Sequence, residues 1–201
     1  MLVIGLTGGI ASGKTTITNF LKKNKFVVHD SDSVIKNIYS EPRPKFLSYL
    51  KKINLKNSIK DNKVDKKTIR EEIFTNAEKR KLLERYLHTK VKKSRDVFLK
   101  KNRQKKTEIV FLDIPLLFEN KLENICNYTI LFYAPLKIRK QRAIRRKDMK
   151  KTTLNKIVKS QLTDNFKKKK ADFIIKTSTS KSWSFNKTMK AIALIKKNQN
   201  A

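Results

Sequence analysis

Apolar residues along the chain gather into five short runs rich in branched and aromatic side chains, at residues 2–6, 26–30, 108–114, 128–133 and 173–176, and each reads as a β-strand. Between them the pattern changes to apolar positions three and four residues apart, the period of a helix with one buried face. The run Ile109, Val110, Phe111 and Leu112 is apolar without alternation, as a parallel strand covered on both faces requires. Strands alternating with helices predict an α/β fold: a doubly wound, parallel, five-stranded sheet.

The interval from Ser31 to Thr107 is too long for one crossover helix and predicts an inserted helical region. Within it, residues 66–75 and 77–101 are rich in Lys, Glu, Arg and Leu, with apolar positions at Leu83, Tyr86, Leu87, Val91, Val97 and Phe98. A second helical excursion follows Pro135 and carries Arg139, Arg142, Arg145 and Arg146. No internal repeat or Gly/Ser linker separates these pieces. The expected layout is one domain, with a core at 1–58, 105–135 and 156–201, a helical insertion at about 59–104 and a lid at about 136–155.

Composition adds less than its most extreme value suggests. The formal net charge is +33, which on its face points to nucleic acid or an acidic surface. The basic residues are spread through nearly every segment after Leu21, beside many Asn and Ile, and aromatics are not interleaved with them as a stacking platform for single strands would need. A nucleic-acid partner is therefore not expected, while a phosphorylated substrate fits such a field. The opening residues lack the basic and apolar regions of a signal peptide, and no apolar run reaches the roughly 20 residues that span a bilayer. The single cysteine, Cys126, reads as a packed thiol. A soluble, cytoplasmic protein without a membrane partner is expected, as a monomer or weak homo-oligomer.

The chemistry begins directly after the first strand. Gly8-Gly9-Ile10-Ala11-Ser12-Gly13-Lys14-Thr15 matches G-x-x-x-x-G-K-[ST] and opens a helix with apolar positions at Ile17, Phe20 and Leu21. In such a loop, successive N–H groups and a helix N-terminus surround a phosphate. Lys14 would neutralise the β- and γ-phosphates of ATP, the Thr15 hydroxyl would bind Mg²⁺, and Gly9, Ala11, Ser12, Gly13 and Thr16 complete the nucleotide site. All four glycines of the chain, Gly5, Gly8, Gly9 and Gly13, fall in its first thirteen residues. With Ala11 in the loop, a negative φ is expected at that position. Lys14→Ala is expected to abolish phosphoryl transfer with the fold intact.

Asp30 and Asp32 follow the second strand, at the carboxyl edge where ligands of open α/β sheets bind. Either could orient or deprotonate an accepting hydroxyl, with Asp32 favoured; alternatively Asp32 or Ser33 caps a helix starting at Val34. Asp113 ends a core strand, as a metal-side carboxylate would, or is a solvated acid or cap. His29 reads as a half-buried strand-end residue and His88 as helix packing. The Arg139–Arg146 run is either a solvated helix face or part of a lid reaching the phosphates.

These residues resemble the dephospho-coenzyme A kinase family, which phosphorylates the ribose 3′-hydroxyl in the last step of coenzyme A synthesis. The likeness rests on Leu6 to Thr15, on Asp30-Ser31-Asp32, on Ile114-Pro115-Leu116-Leu117-Phe118-Glu119, and on Gln161 followed by Ala171-Asp172-Phe173-Ile174-Ile175. Residues 69–74 and Leu87-His88 look like its substrate-side helices. The resemblance implies ATP and Mg²⁺ as cofactors and dephospho-coenzyme A as substrate. It implies Asp32 as the acid acting on the ribose hydroxyl, Arg142 as a catalytic and Arg146 as a nucleotide-binding lid arginine. Substrate contacts would come from Lys66, Arg70, His88, Pro115, Leu116, Glu119 and Gln161, and metal contacts from Thr15 and Asp113. Departures are Ala11 for a usual glycine, Lys66 for an arginine, His88-Thr89 for His-Pro, and Thr177-Ser178 near a usual asparagine. The alternatives are another nucleoside or nucleotide kinase of the same fold, or a basic ATP-dependent nucleic-acid-binding protein.

Overall fold

The structure, a computed structural model, describes residues 1–146 and 149–199. Lys147 and Asp148, within the expected lid, and residues 200–201 lie outside the described residues. All five expected strands are present: β1 (Leu2–Thr7), β2 (Val27–Asp30), β5 (Ile109–Asp113), β6 (Tyr128–Tyr133) and β7 (Phe173–Lys176), with a two-residue hairpin, β3 (Ile59–Lys60) and β4 (Lys63–Val64), between the second and third. The sheet runs β2-β5-β1-β6-β7. β1 pairs in parallel with β5 and with β6, and β6 in parallel with β7, so Leu6 stands opposite Asp113 and Ile130. The chain leaves β1 toward one side of the sheet and returns on the other at β6, which puts the switch point beyond the carboxyl end of β1.

The described helices are α1 (Lys14–Lys23), α2 (Ser31–Ser40), α3 (Pro44–Lys52), α4 (Lys66–Thr75), α5 (Ala77–Gln104), α6 (Leu136–Ile144), α7 (Lys151–Ser160), α8 (Asp164–Lys170) and α9 (Lys181–Gln199). By contacts the chain divides into two compact units, residues 1–29 with 102–201, and residues 30–101. In the sheet unit, Ile4, Leu6, Phe111, Ile130 and Phe132 pack with Ile17 and Leu21 of α1 and with Ala191, Ile192 and Ile195 of α9. Every residue of β1 and β5 is buried, the outcome their unbroken apolar runs demand.

The helical unit has its own core of Phe46, Leu50, Ile53, Leu55, Ile69, Leu83 and Leu87. Its rings are ordered: Tyr49 stacks on Tyr86 at 4.3 Å, and Tyr39 meets Phe46 edge-on at 5.5 Å. Along α5 the expected stripe drifts from the observed one. Val97 is exposed, and the buried positions after Leu87 are Arg95, Leu99 and Asn102, spacings of four and three that follow the helix more closely.

Candidate active site

The phosphate loop follows β1 and is built almost wholly from backbone. Ser12 N–H donates to Gly9 O at 3.0 Å and Thr16 N–H to Gly13 O at 3.1 Å. Gly13 takes φ +87° and forms the N-cap of α1, a conformation that costs little without a Cβ. Ala11 corrects the expectation, because its φ is +57°, in the left-handed region. That geometry costs an L-residue about 1–2 kcal/mol. Its buried methyl compensates, packing with Ala143 of α6 and Leu154 of α7, flanked by Ile10, Met149 and Val158.

Beneath the loop lies a buried polar group. Lys14 Nζ pairs with Asp113 Oδ1 at the end of β5, and the Thr18 hydroxyl donates to Asp113 Oδ2 at 2.7 Å. Asp113 is only 3% exposed, so neither the solvated acid nor the helix cap describes it. Thr15 and Thr16, at the start of α1, are exposed. Ser12 Oγ is buried with no hydrogen-bond partner among the described residues, a polar atom aimed into a loop shaped for anions.

Beside the loop a cavity of about 240 Å³ is lined by Ala11, Gly13, Thr16, Arg142, Arg146 and, from the start of α9, Phe185, among others. Arg142 donates to Thr177 O at 2.6 Å. The Thr177 hydroxyl donates to Ser12 O, tying the end of β7 to the loop. Sequence reasoning placed Ala11, Gly13, Thr16, Arg142 and Arg146 here; it named Thr177 only as a departure near a usual asparagine and missed the α9 residues. The available signal was position, since Thr177 directly follows a core strand at the carboxyl edge.

The remaining sheet-unit candidates are held by protein partners. Gln161 Oε1 accepts from Ile10 N–H at 3.1 Å, and Glu119 Oε1 accepts from Leu162 N–H at 3.2 Å and pairs with Lys167 Nζ at 2.6 Å. Pro115 O accepts from the Thr7 hydroxyl at 3.0 Å, and Leu116 is exposed beside it. The arginine run is not one solvated face, because Arg139 is 5% exposed and ion-paired to Asp164 at 2.6 Å. Cys126 is half-buried, its thiol 3.7 Å from Leu122 O.

Asp32, Lys66, Arg70 and His88 belong to the helical unit, and all four are exposed. The cap of α2 is Asp30, whose carboxylate accepts from Ser33 N–H at 3.1 Å and from the Ser33 hydroxyl at 2.8 Å; α2 starts at Ser31, three residues earlier than expected. This corrects the capping alternative and leaves Asp32 in the first turn with no capping duty. His88 is exposed on α5 and not packed, and His29, at 5% exposure, is buried. Lys66 Nζ sits 5.6 Å above the Tyr39 ring, and burial pushes the Tyr39 phenol above its ordinary value.

The comparisons with known proteins converge. The chain is 33% identical over 180 residues to a dephospho-CoA kinase of Fusobacterium nucleatum, spanning 89% of this chain and 91% of that one. It is 34% identical over 178 residues to one of Bartonella quintana, spanning 88% and 89%. Among solved structures, a dephospho-CoA kinase from Campylobacter jejuni superposes with a TM-score of 0.71 at 28% identity, covering 98% of each chain, and the Thermus thermophilus protein TT1252 with 0.79 at 26% identity, covering 96% of each. Shikimate kinase from Bacteroides thetaiotaomicron, at 15% identity and a TM-score of 0.51, shares the fold alone. The sequence model of the dephospho-CoA kinase family matches residues 2–182, and the chain belongs to that family.

Proposed function

We propose that this protein transfers the γ-phosphoryl group of ATP to the ribose 3′-hydroxyl of dephospho-coenzyme A, releasing ADP and coenzyme A. The observation that carries this reading is the phosphate loop with Lys14 in reserve on Asp113, in a chain whose family is named for that acceptor. A lysine released from Asp113 reaches into the loop and neutralises the crowded β- and γ-phosphates, where charge stabilisation supplies most of the rate. The new O–P bond forms as the bond to the β-phosphate oxygen breaks, and Asp32 takes the hydroxyl proton. Arg142 and Arg146 line the cavity beside the loop and supply the lid's positive charge. Lys66, Arg70 and His88 hold the acceptor, with its phosphate groups matched to the exposed cations of Lys66 and Arg70 and its polar groups to the exposed His88 ring.

Mg²⁺ fits the oxygens on offer. Among the described residues no group of three or more acidic, histidine or cysteine side chains could cage a metal. An ion that arrives on nucleotide phosphates needs only one or two protein oxygens, which the Thr15 hydroxyl and Asp113 provide. Held there, such an ion would supply counter-charge to the transferring phosphoryl group and to the departing β-phosphate oxygen. No described helix is long and apolar enough to cross a membrane, and a reducing cytoplasm suits both the metabolic role and the single cysteine.

The deciding experiment couples ADP release to acceptor identity. Dephospho-coenzyme A is expected to give ADP and a 3′-phosphorylated product, with AMP and nucleosides silent. ADP formed with AMP or a nucleoside, and none with dephospho-coenzyme A, would assign the protein to another acceptor.

A further inference from the structure

Three consecutive residues of the phosphate loop are gripped by the segment that follows β6. Ala11 buries its methyl against Ala143 and Leu154, and Ile10 N–H donates to Gln161 Oε1 at 3.1 Å. Gly9 is covered by Arg139: a Cβ built on Gly9 would overlap Nη1 and stand 3.1 Å from Cζ. Arg139 is held at two points that fix the plane of its guanidinium, Nε donating to Ala134 O at 2.9 Å and Nη2 to Asp164 Oδ2 at 2.6 Å. With those two arms anchored, the third is directed at the loop. The brace is pinned in turn, since Glu119 receives Leu162 N–H and pairs with Lys167, which is 1% exposed.

A guanidinium stays protonated at any physiological pH, and in a water-poor setting its field reaches farther than on a surface. Burying one is costly, and an apolar residue would join α6 to α8 without that cost. We propose that Arg139 is a positioning residue for the donor nucleotide: a cation fixed against Gly9 by Asp164 that sets the curvature of the loop and adds positive potential where the polyphosphate binds. It accounts for glycine at position 9 by the space the guanidinium occupies. A purely structural tie between α6 and α8 would have no reason to aim an arm at the loop.

The inference rests on the ATP-binding reading above, and its test uses the donor alone, so the acceptor does not enter. Wild type, Arg139→Gln and Arg139→Lys are titrated as full chains with ATP and with adenosine by calorimetry, with a thermal melt of each sample. ATP affinity is expected to fall about tenfold in the glutamine variant, the scale of one well-held charged contact, and by a smaller factor in the lysine variant. Adenosine affinity stays unchanged in both, and steady-state rates show the loss in KM for ATP more than in kcat. ATP affinity within twofold of wild type, or ATP and adenosine affinities falling by one common factor, would overturn the proposal. Should the glutamine variant fail to fold, the lysine variant decides, because lysine cannot hold both anchors: an unchanged ATP affinity there overturns it. A wild-type chain that binds no ATP would remove the kinase reading and this inference with it, an outcome distinct from the others.

Discussion

In the sheet unit, charge is taken inside and partnered: Lys14 with Asp113, Arg139 with Asp164, Lys167 with Glu119. In the helical unit the ion pair Lys79 with Glu72 stays partly exposed, as Lys196 with Glu108 is exposed in the sheet unit, and the interior holds the buried Arg95 beside stacked and edge-on rings around Phe46, Tyr49 and Tyr86. Buried ion pairs stabilise little in net terms, because desolvation offsets their attraction, yet removing one partner is severe. Aromatic packing behaves in the opposite way, stabilising in proportion to buried area and tolerating changes of shape that conserve volume. The sheet unit therefore holds its polar groups in fixed places at the expense of stability, and all of those buried pairs border the phosphate loop or the segments that brace it. The helical unit presents its charged candidates on an exposed surface over an apolar core.

The sharpest way to break this contrast is at Lys14. Lys14→Ala is expected to lower kcat by about three orders of magnitude or more, since the phosphates lose their counter-charge. The buried Asp113 changes the earlier expectation of an intact fold, because among the described residues its carboxylate is left with only the Thr18 hydroxyl. Stability should fall by roughly 3–5 kcal/mol. Adding Asp113→Asn should restore most of the melting temperature and none of the activity. A single variant as stable as wild type would show that the pair is not strained by desolvation.

The matching test in the helical unit is Asp32→Asn. With the α2 cap supplied by Asp30, the amide should leave the melting temperature unchanged while single-turnover chemistry slows by about two orders of magnitude, the scale of a lost general base. Near-wild-type chemistry in the stable variant would return Asp32 to the surface.

The sequence made the five strands, the phosphate loop and the family resemblance legible, because each is written locally: unbroken apolar runs, a glycine pattern, contiguous motifs. What it hid depends on contacts distant in sequence. Arg139 and Arg142 sit three residues apart in one basic run, yet one is buried against Asp164 and the other lines the cavity beside the phosphate loop. Thr18 looks like a helix-surface threonine until Asp113, 95 residues away, is placed beside it. The cap fell to Asp30, and not to Asp32 or Ser33, for a local reason: the helix begins at the residue after the strand ends, so the last strand residue is the cap.

A smaller effect separates strain from packing in the loop. Ala11→Gly relieves about 1–2 kcal/mol of left-handed strain. It also removes a buried methyl, about 0.8 kcal/mol, and adds unfolded-state entropy of about 0.4–1 kcal/mol. These terms cancel within about 1 kcal/mol, so the melting temperature should barely move. In a Leu154→Ala background the methyl has lost a neighbour and the same substitution should become stabilising, a coupling that a double-mutant cycle measures. Additive effects would show that Ala11 does not depend on α7.

The mildest test lies in the helical unit, at the start of α4. Asp65 caps that helix, accepting from Lys67 N–H at 2.8 Å and from the Thr68 hydroxyl at 2.8 Å. The Thr68 hydroxyl first, and then the Lys67 amide, hold its carboxyl below the ordinary value of 3.8. A carboxyl depressed in the folded state adds stability that is fully present above 3.8 and is lost as pH falls through the lower, folded value. Acidification should therefore loosen α4, read as faster amide exchange at its first turn, while neutral pH leaves it closed. Asparagine caps helices about as well as aspartate, so Asp65→Asn should be neutral at pH 7. Its amide does not titrate, and this part of the pH dependence should vanish. An unaltered acid profile in that variant would move the sensitivity to another carboxyl. The outcome also bears on the contrast between the units, since a half-buried cap in the helical unit should titrate with a small and local effect.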